Sequence, residues 1–186
     1  MDLGLQGKVA IVTGGSDGIG KAAAISMASE GAKVAIVGRT QAKLDAAVKE
    51  IKEVSGGEAL GVAADVSVES QVKAMVEKVV SEYGKLDILV NNAGTSSATT
   101  LEQMTDEQLK VDFGIKVYGA VYCARAALPH LKNSGAGAIV NTTTPGGKAP
   151  NPGGQPTSLS RAAGISLTKS WAGELAKDNI RVNTVC

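Results

Sequence analysis

Apolar residues along the chain follow two alternating patterns. Short runs of Val, Ile, Leu and Ala are typical of strands buried on both faces of a parallel sheet, and between them apolar residues recur every three or four positions, as in amphipathic helices. The six strand-like runs are Lys8–Thr13, Lys33–Gly38, Glu58–Ala64, Asp87–Asn91, Gly137–Thr142 and Ile180–Val185. This alternation predicts parallel strands joined by right-handed crossover connections.

Three helices can be placed by their periodicity and their first residues. The periodic segment 41–54 follows Thr40, which we interpret as its N-cap, and a second periodic segment follows Ser67. Thr105 opens a capping-box sequence at the start of a long helix that reaches about Lys132. The predicted fold is therefore α/β: a doubly wound parallel sheet with helices on both faces.

The length of the chain favours one domain. It has 186 residues, 44% of them hydrophobic, and neither a linker nor a repeat divides it, so we expect residues 1–186 to form a single domain. The sequence ends inside the predicted strand 180–185. We therefore expect the full-length protein to continue and to complete the C-terminal part of the fold.

The segment Pro145–Pro156 differs in composition from the rest. It holds four of the five prolines together with four glycines, which excludes a regular helix or a central strand. It follows the fifth predicted strand, at the carboxyl edge of the sheet, where open α/β proteins bind their ligands. We expect a loop that borders the binding site.

Charge and hydropathy limit the classes of partner. The formal net charge of +1 gives no electrostatic reason to expect nucleic acid or an acidic membrane surface as partner. No apolar run approaches the ~20 residues that cross a bilayer, and no apolar leader precedes Lys8. We expect a cytoplasmic protein that acts on a small molecule. We also expect Cys123 and Cys186 to be buried free thiols rather than a disulfide.

The segment 13–20 has the features of a phosphate-binding turn. It follows the first predicted strand and opens a helix, with glycines at 14, 18 and 20. Glycine lets the backbone turn sharply and approach a pyrophosphate, which the free amides and positive dipole end of the helix attract. The cofactor-binding residues predicted here are Gly14, Ser16, Asp17, Gly18, Ile19 and Gly20.

The spacing of these glycines resembles that of the short-chain dehydrogenase/reductase family. The resemblance extends from about Gly7 to Val185 and includes four further motifs. These are Asp65-Val66, Asn91-Asn92-Ala93-Gly94, Arg125-Ala126-Ala127-Leu128-Pro129 and Leu167-Thr168-Lys169-Ser170. The resemblance implies a Rossmann-type fold, a nicotinamide dinucleotide cofactor, and further cofactor contacts. Those contacts are Asp65, Val66, Asn92, Ala93 and Gly94.

The end of the second predicted strand bears on the choice of cofactor. NAD-dependent enzymes carry an acid about 20 residues past the glycine motif to bind the ribose 2′-hydroxyl, whereas this chain has Arg39 followed by Thr40. A guanidinium can bind a 2′-phosphate with charge-assisted hydrogen bonds. Asp17 counts against this, because related NADP enzymes often carry a basic residue there. We expect NADP(H) rather than NAD.

The resemblance also implies where the catalytic residues would lie. The family exchanges a hydride between nicotinamide and a carbonyl/alcohol pair, using Asn, Ser, Tyr and Lys. The helix containing Leu167 fixes the register, and it puts Thr157 at the Tyr position and Arg161 at the Lys position. Thr144 falls at the Ser position and Lys116 at the Asn position. All four catalytic side chains are therefore expected to be substituted.

These substitutions change the available chemistry. Thr144 keeps a hydroxyl that can orient a carbonyl, but Thr157 is shorter and far less acidic than a phenol. Arg161 can bind ribose hydroxyls but keeps its proton at neutral pH. Lys116 is either a surface lysine with a snorkelling stem or the best remaining proton donor.

Other groups are weaker candidates for the acid. Helical phase puts neither Tyr118 nor Tyr122 on the same face as Lys116. His130 is expected near the C-terminal end of the long helix, as a solvated or dipole-facing imidazole. No cluster of His, Cys, Asp or Glu has metal-ligand spacing, so we expect no metal site.

Two functions remain open. One is an oxidoreductase that uses NADP(H) on a carbonyl or alcohol with rearranged catalytic residues. The alternative is a catalytically silent NADP(H)-binding protein with a structural or regulatory role. The resemblance implies a homodimer or homotetramer, in which Val121, Leu167 and Trp171 would be buried between subunits.

Overall fold

A computed structural model of the chain describes residues 3–186. They include one six-stranded sheet in which every neighbouring pair of strands is parallel, in the order β3-β2-β1-β4-β5-β6. The strands are β1 Val9–Thr13, β2 Lys33–Gly38, β3 Ala59–Ala63, β4 Ile88–Asn91, β5 Ala138–Thr142 and β6 Arg181–Val185. The order reverses between β1 and β4, so the sheet is doubly wound and of Rossmann type, as predicted.

Helices cover both faces of this sheet. They are α1 Gly18–Ser29, α2 Gln41–Ser55, α3 Glu69–Tyr83, α4 Asp106–Phe113, α5 Gly119–Asn133 and α6 Thr157–Leu175. Because successive strand residues point to opposite faces, Val12 and Ile36 pack with α1 and α2, whereas Ile11 and Leu89 pack with α3 and α5. Most of the predicted site residues lie at the carboxyl edge of the sheet, between these two layers of helices.

The helical segment predicted from Thr105 to about Lys132 extends from Asp106 to Asn133, but it is not uniform. Its capping box is confirmed: the Gln108 amide donates to the Thr105 hydroxyl at 3.2 Å, and the Thr105 amide donates to Gln108 Oε1 at 2.9 Å. A π-helical turn at Gly114–Tyr118 separates α4 from α5. Such turns are rare and often lie at functional sites, and this one carries Lys116.

The other local predictions need small corrections. α2 begins after Thr40 as predicted, but the Thr40 side chain makes no capping hydrogen bond. The loop 145–156 begins with one turn of 3-10 helix, and its later part is tied down where the Thr99 amide donates to the Gln155 carbonyl at 2.7 Å. This bridge holds the loop against the segment that follows β4.

Both cysteines are free thiols, but only one is buried. Cys123 lies in the core, where burial raises the pKa of its thiol to about 12, whereas Cys186 is exposed, contrary to expectation. Within residues 3–186, none of the helices has the length and apolar character needed to span a membrane.

Candidate functional site

The turn between β1 and α1 requires glycine at three positions. Gly14 and Gly18 have φ angles of +65° and +53°, which side chains rarely adopt. A Cβ at Gly14 would lie 3.0 Å from the Cα of Ala93, and one at Gly20 would collide with the carbonyl oxygen of Gly14. The glycines therefore let the turn pack tightly and leave the first turn of α1 open at the carboxyl edge of the sheet.

Asp17 is the N-cap of α1. Its backbone is extended, and its Oδ1 accepts a hydrogen bond from the Gly18 amide at 2.8 Å. Asp17 and the neighbouring Ile19 are both exposed at the mouth of the turn. This carboxylate satisfies one amide of the helix, and its negative charge weakens the attraction of the α1 N-terminus for a phosphate.

Asn92 joins the loop after β4 to the glycine turn. Its side-chain amide donates to the Thr13 carbonyl at 3.0 Å and to the Gly14 carbonyl at 3.3 Å. In return the Thr13 hydroxyl accepts hydrogen bonds from the amides of Asn92 at 2.9 Å and Ala93 at 3.0 Å. These bonds hold the loop after β4 against the glycine turn, and they fix the position of Gly94 beside that turn.

One end of the groove is a cavity of about 200 Å³ at the carboxyl ends of β2 and β3. It brings together Arg39, Thr40, Asp65 and Val66, all of them predicted cofactor residues. Lys43, in the first turn of α2, lines the same cavity and was not predicted. Its position four residues after Arg39 was the available sequence signal, because Arg39 directly follows β2 and α2 begins two residues later, at Gln41.

The charges at this end are mixed. Burial alone would raise the pKa of Asp65, but hydrogen bonds from the Ser67 hydroxyl and amide, together with the positive charge of Arg39, lower it. Asp65 is therefore ionised and neutralises part of the local positive charge. With Arg39 and Lys43 opposed by one carboxylate, this end of the groove carries a net positive charge.

The other end is a cavity of about 440 Å³ that adjoins the first. Both cavities are lined by Gly14, Ser16 and Gly94, so they form one continuous groove along the carboxyl edge of the sheet. The second cavity also contains Thr144 and Arg161. The groove is therefore lined both by residues predicted to bind the cofactor and by two of the predicted catalytic residues.

Arg161 reaches this groove from α6. Its Nη1 donates to the Thr142 carbonyl at 2.5 Å, while its buried Nε has no hydrogen-bond partner among residues 3–186. A Cβ at Gly94 would lie 2.8 Å from Arg161 Nη2, so the absence of a side chain at position 94 gives the guanidinium its place. Burial lowers the pKa of Arg161, although the nearby Asp112 carboxylate opposes this.

Lys116 is not a surface lysine. Its side chain is 1% exposed, and its ammonium forms a salt bridge with the carboxylate of Asp112. The same ammonium lies 3.2 Å from the Thr157 hydroxyl, to which it donates. A Cβ at Gly94 would lie 3.4 Å from Lys116 Cε, so the lysine and Arg161 both pass close to Gly94.

Asp112 was not predicted, and it lies at the centre of this cluster. Its carboxylate accepts hydrogen bonds from the hydroxyls of Ser97 at 2.6 Å, Thr157 at 3.3 Å and Ser160, as well as from Lys116. Burial alone would raise the pKa of Asp112, but these donors lower it. The spacing Asp112-x-x-x-Lys116 was a usable signal, because residues four apart share a helix face.

The two remaining catalytic candidates lie on either side of this cluster. Thr157 begins α6 and also accepts a hydrogen bond from the Ser97 amide at 3.1 Å. Thr144 follows β5 and precedes the 3-10 turn, half-buried at the edge of the groove. The structure thus brings Lys116 and Thr157 into direct contact, with Arg161 beside them and Thr144 facing the same cavity as Arg161.

The alternative acids do not join the cluster. Tyr118 is 56% exposed, and its ring packs against that of Tyr122 with a centroid distance of 6.2 Å. His130 lies in the last turn of α5, far along the helix from Lys116. Residues 3–186 contain no group of three His, Cys, Asp or Glu side chains that could hold a metal ion.

The groove fits a nicotinamide dinucleotide. The open first turn of α1 suits a pyrophosphate, and the unpartnered Nε of Arg161 can donate to a ribose hydroxyl. The sequence model of the short chain dehydrogenase family matches residues 8–186. The chain belongs to this family. Its members are oxidoreductases that bind NAD or NADP, so the family resemblance inferred from the motifs is confirmed.

Individual relatives agree with this assignment. A 3-oxoacyl-(acyl-carrier-protein) reductase of Thermotoga maritima is 38% identical over 97% of this chain and 73% of its own length. The solved L-sorbose reductase of Gluconobacter frateurii, complexed with NADPH and L-sorbose, is 40% identical, with a TM-score of 0.95 over 99% of this chain and 70% of that one. A xylitol dehydrogenase solved with NAD+ is 34% identical, with a TM-score of 0.93 over 97% of this chain and 69% of that one.

Proposed function

We propose that this family member uses NADP(H) to interconvert a carbonyl compound and its alcohol, with Lys116 as the proton donor in the reducing direction. The observation that carries the proposal is the contact between the buried Lys116 ammonium and the Thr157 hydroxyl, 3.2 Å apart. Thr157 stands where the family's Tyr would be, and the lysine is the nearest group that can supply a proton there.

Cofactor binding is assigned to the continuous groove. The amides at the start of α1 would hold the pyrophosphate, and Arg161 would bind the nicotinamide ribose. Arg39 and Lys43 would bind the 2′-phosphate of the adenosine ribose. Solved relatives include both an NADPH complex and an NAD+ complex, so the preference for NADP rests on these two residues of this chain.

The bound nicotinamide supplies or accepts the hydride. In reduction, the carbonyl oxygen gains a proton from the Lys116 ammonium as the carbonyl carbon gains the hydride, and the neutral lysine then takes a proton from solvent. Thr144 would orient the carbonyl by a hydrogen bond, as its place in the groove beside Arg161 allows. Thr157 would fix the position of the Lys116 ammonium by accepting its hydrogen bond. It would not transfer a proton itself, since an aliphatic hydroxyl is a far weaker acid than an ammonium or a phenol.

The electrostatic environment suits a lysine acid. Burial lowers the pKa of Lys116, Asp112 opposes that effect by hydrogen bonding and charge, and the positive charge of Arg161 adds to the lowering. A lysine whose pKa lies nearer to neutrality gives up its proton more readily, which is the requirement for a general acid.

We also propose a homodimer or homotetramer, and one domain for residues 1–186. A shallow groove between α5 and α6 is lined by Val121, Leu128, Trp171 and Leu175, and it suits burial against a second copy. Leu167, predicted for the same surface, instead lines an inner cavity beside Asn141, so we leave it out of the interface.

The proposal is tested by measuring NADPH oxidation at 340 nm with a panel of ketones, aldehydes and sugar carbonyls. Turnover of at least one carbonyl, with NADH much less effective, is the expected result. NADPH binding without any hydride transfer across the panel would instead favour the silent binding protein.

A further inference from the structure

Asp112 organises the buried polar groups beside the groove. Its side chain is fully buried, and it lies in the last turns of α4. Its hydrogen-bond donors come from three other parts of the chain: the segment after β4, the π-helical turn and the first turn of α6. They are Ser97, Lys116, Thr157 and Ser160. One carboxylate therefore holds together three segments that are distant in sequence.

Stability does not explain why the pair Asp112–Lys116 is buried. The cost of removing two charges from water commonly exceeds their mutual attraction, and well-packed apolar residues of similar volume are often as stable or more so. Both side chains are almost completely buried here, at 0% and 1% exposure. A buried pair at the edge of a ligand groove is better explained by a chemical role, because perturbed ionisable groups cluster at functional sites.

Lys116 needs a negative partner if it is to stay charged. Its pKa is lowered by burial, and it faces the positive charge of Arg161 from α6. Asp112, from α4, is the charged group that opposes both effects. Lys116 and Cys123 of α5 both line the small inner cavity beside Asn141, and Cys123 stays a neutral thiol because burial raises its pKa to about 12.

We propose that Asp112 is a positioning residue for the reaction: it fixes the Lys116 ammonium beside Thr157 and Arg161 and keeps it protonated for transfer to the carbonyl oxygen. This inference rests on the proposed function, in which Lys116 is the proton donor. Asp112 itself does not reach the groove and acts through Lys116 and Thr157. The hydroxyls of Ser97 and Ser160 hold its carboxylate in place.

The test uses Asp112→Asn, which keeps the size of the side chain and an acceptor oxygen but removes the charge. The pKa of Lys116 is measured by NMR on protein labelled at the lysine side chains, with its signal assigned by its loss in Lys116→Met. The pH dependence of kcat/KM for carbonyl reduction is measured in parallel. The control is Glu69→Gln, which removes a half-buried acid that pairs with Lys73 and Arg125 at the start of α3.

The pKa of Lys116 is expected to fall by about 1–3 units in Asp112→Asn, because an opposite charge at contact distance is lost. The lysine must be protonated to donate, so the alkaline limb of kcat/KM should move to lower pH by the same amount, with KM for NADPH unchanged. Asp112→Glu, which restores the charge, should move the limb back. Glu69→Gln should leave the limb where it is in the wild type.

The outcomes separate this inference from the proposed function. Turnover with an unmoved alkaline limb and an unmoved Lys116 pKa in Asp112→Asn would overturn the positioning role alone. Absence of turnover in the wild type would overturn the proposed function, even if the Lys116 pKa moves as expected. If Asp112→Asn does not fold, Asp112→Ser takes its place, because it removes the charge, is smaller than asparagine and leaves Lys116 intact. The same fall in the Lys116 pKa and the same shift of the alkaline limb are expected, and an unmoved limb with an unmoved pKa would contradict the inference.

Discussion

The Lys116 ammonium donates to the Thr157 hydroxyl across 3.2 Å, although the two residues are 41 positions apart in the chain. Lys116 belongs to the π-helical turn between α4 and α5, and Thr157 begins α6. The alignment proposed from the family motifs puts Lys116 and Thr157 at positions of catalytic side chains. If that alignment holds, their direct contact favours one rearranged site over two independent losses.

Cofactor preference is expected to depend on Arg39 and Lys43, which line the cavity at the carboxyl ends of β2 and β3 where we propose that the adenosine ribose binds. Wild-type protein should bind NADPH more tightly than NADH by about 1–3 kcal/mol, the usual strength of hydrogen bonds to charged groups. Arg39→Ala and Lys43→Ala should each reduce this preference, and the double variant should reduce it most.

Fluorescence titration with both cofactors measures the preference. Lys49→Ala, which alters an exposed lysine of α2 paired with Glu53, is the control and should bind both cofactors as the wild type does. Equal affinities for NADPH and NADH in the wild type would refute the assignment of these two residues.

Gly20 is expected to be irreplaceable because of its contact with the preceding turn. A Cβ there would meet the Gly14 carbonyl oxygen, which is backbone and cannot move aside without distorting the turn. Gly20→Ala should lower the free energy of unfolding by about 1–3 kcal/mol and weaken NADPH binding.

Gly173→Ala is the matched control, since Gly173 is also helical and a Cβ there would have no atom within 4 Å. It should raise stability by roughly 0.5–1 kcal/mol, because alanine is the better helix former. Thermal melts of both variants decide the matter, and equal melting temperatures would count against the close packing of the turn.

Acid sensitivity is expected to involve Asp87. Burial alone would raise its pKa, but the Val9 amide, at 2.8 Å, and the ammonium groups of Lys85 and Lys8 lower it. A carboxyl whose pKa is lower in the folded state stabilises the protein above its unfolded pKa of about 3.9, and this contribution is lost as the pH falls through the folded pKa.

Asp87→Asn should therefore destabilise the protein at pH 7, with a difference from wild type that shrinks below about pH 4. Urea denaturation at pH 7, 5 and 3.5 measures this. A difference of constant size across that range would show that the charge of Asp87 makes no contribution.

Much of the fold follows from residue patterns that are local in sequence. The strand runs, the glycine turn and the Thr105 capping box were predictable because periodicity, backbone freedom and capping chemistry act over a few residues. The family motifs predicted that Thr144 and Arg161 lie at one site, and both line the same cavity. Lys116 remained ambiguous, because helical phase alone does not say which elements cover a given face.

The parts that were missed depend on tertiary contacts. The π-helical turn changes the direction in which Lys116 points relative to a regular α-helix, and no residue pattern in Gly114–Tyr118 predicts such a turn. Asp112 is buried only because α4 packs against α6 and the segment after β4, which brings Ser97 and Ser160 to its carboxylate. Lys43 lines the same cavity as Arg39 because the first turn of α2 lies beside the carboxyl end of β2.

Assembly is expected to use the groove that contains Trp171 and Val121. Wild-type protein at micromolar concentration should be dimeric or tetrameric by light scattering. Trp171→Glu should dissociate it, because a buried unpaired carboxylate is costly, while Trp171→Phe should leave it assembled. A wild-type protein that stays monomeric would refute the proposed interface.

The most direct measurement is kcat/KM for NADPH-dependent carbonyl reduction by wild type, Lys116→Met and Lys110→Met, an exposed lysine of α4 that serves as control. Loss of a general acid typically costs about 10²–10⁴-fold, so Lys116→Met should fall by that factor while NADPH affinity stays within a few-fold. Lys110→Met should match the wild type. If the unpaired Asp112 prevents Lys116→Met from folding, Asp112→Asn/Lys116→Met replaces it with the same expected loss. A folded variant lacking the Lys116 ammonium but retaining full turnover would contradict the role of Lys116 as proton donor.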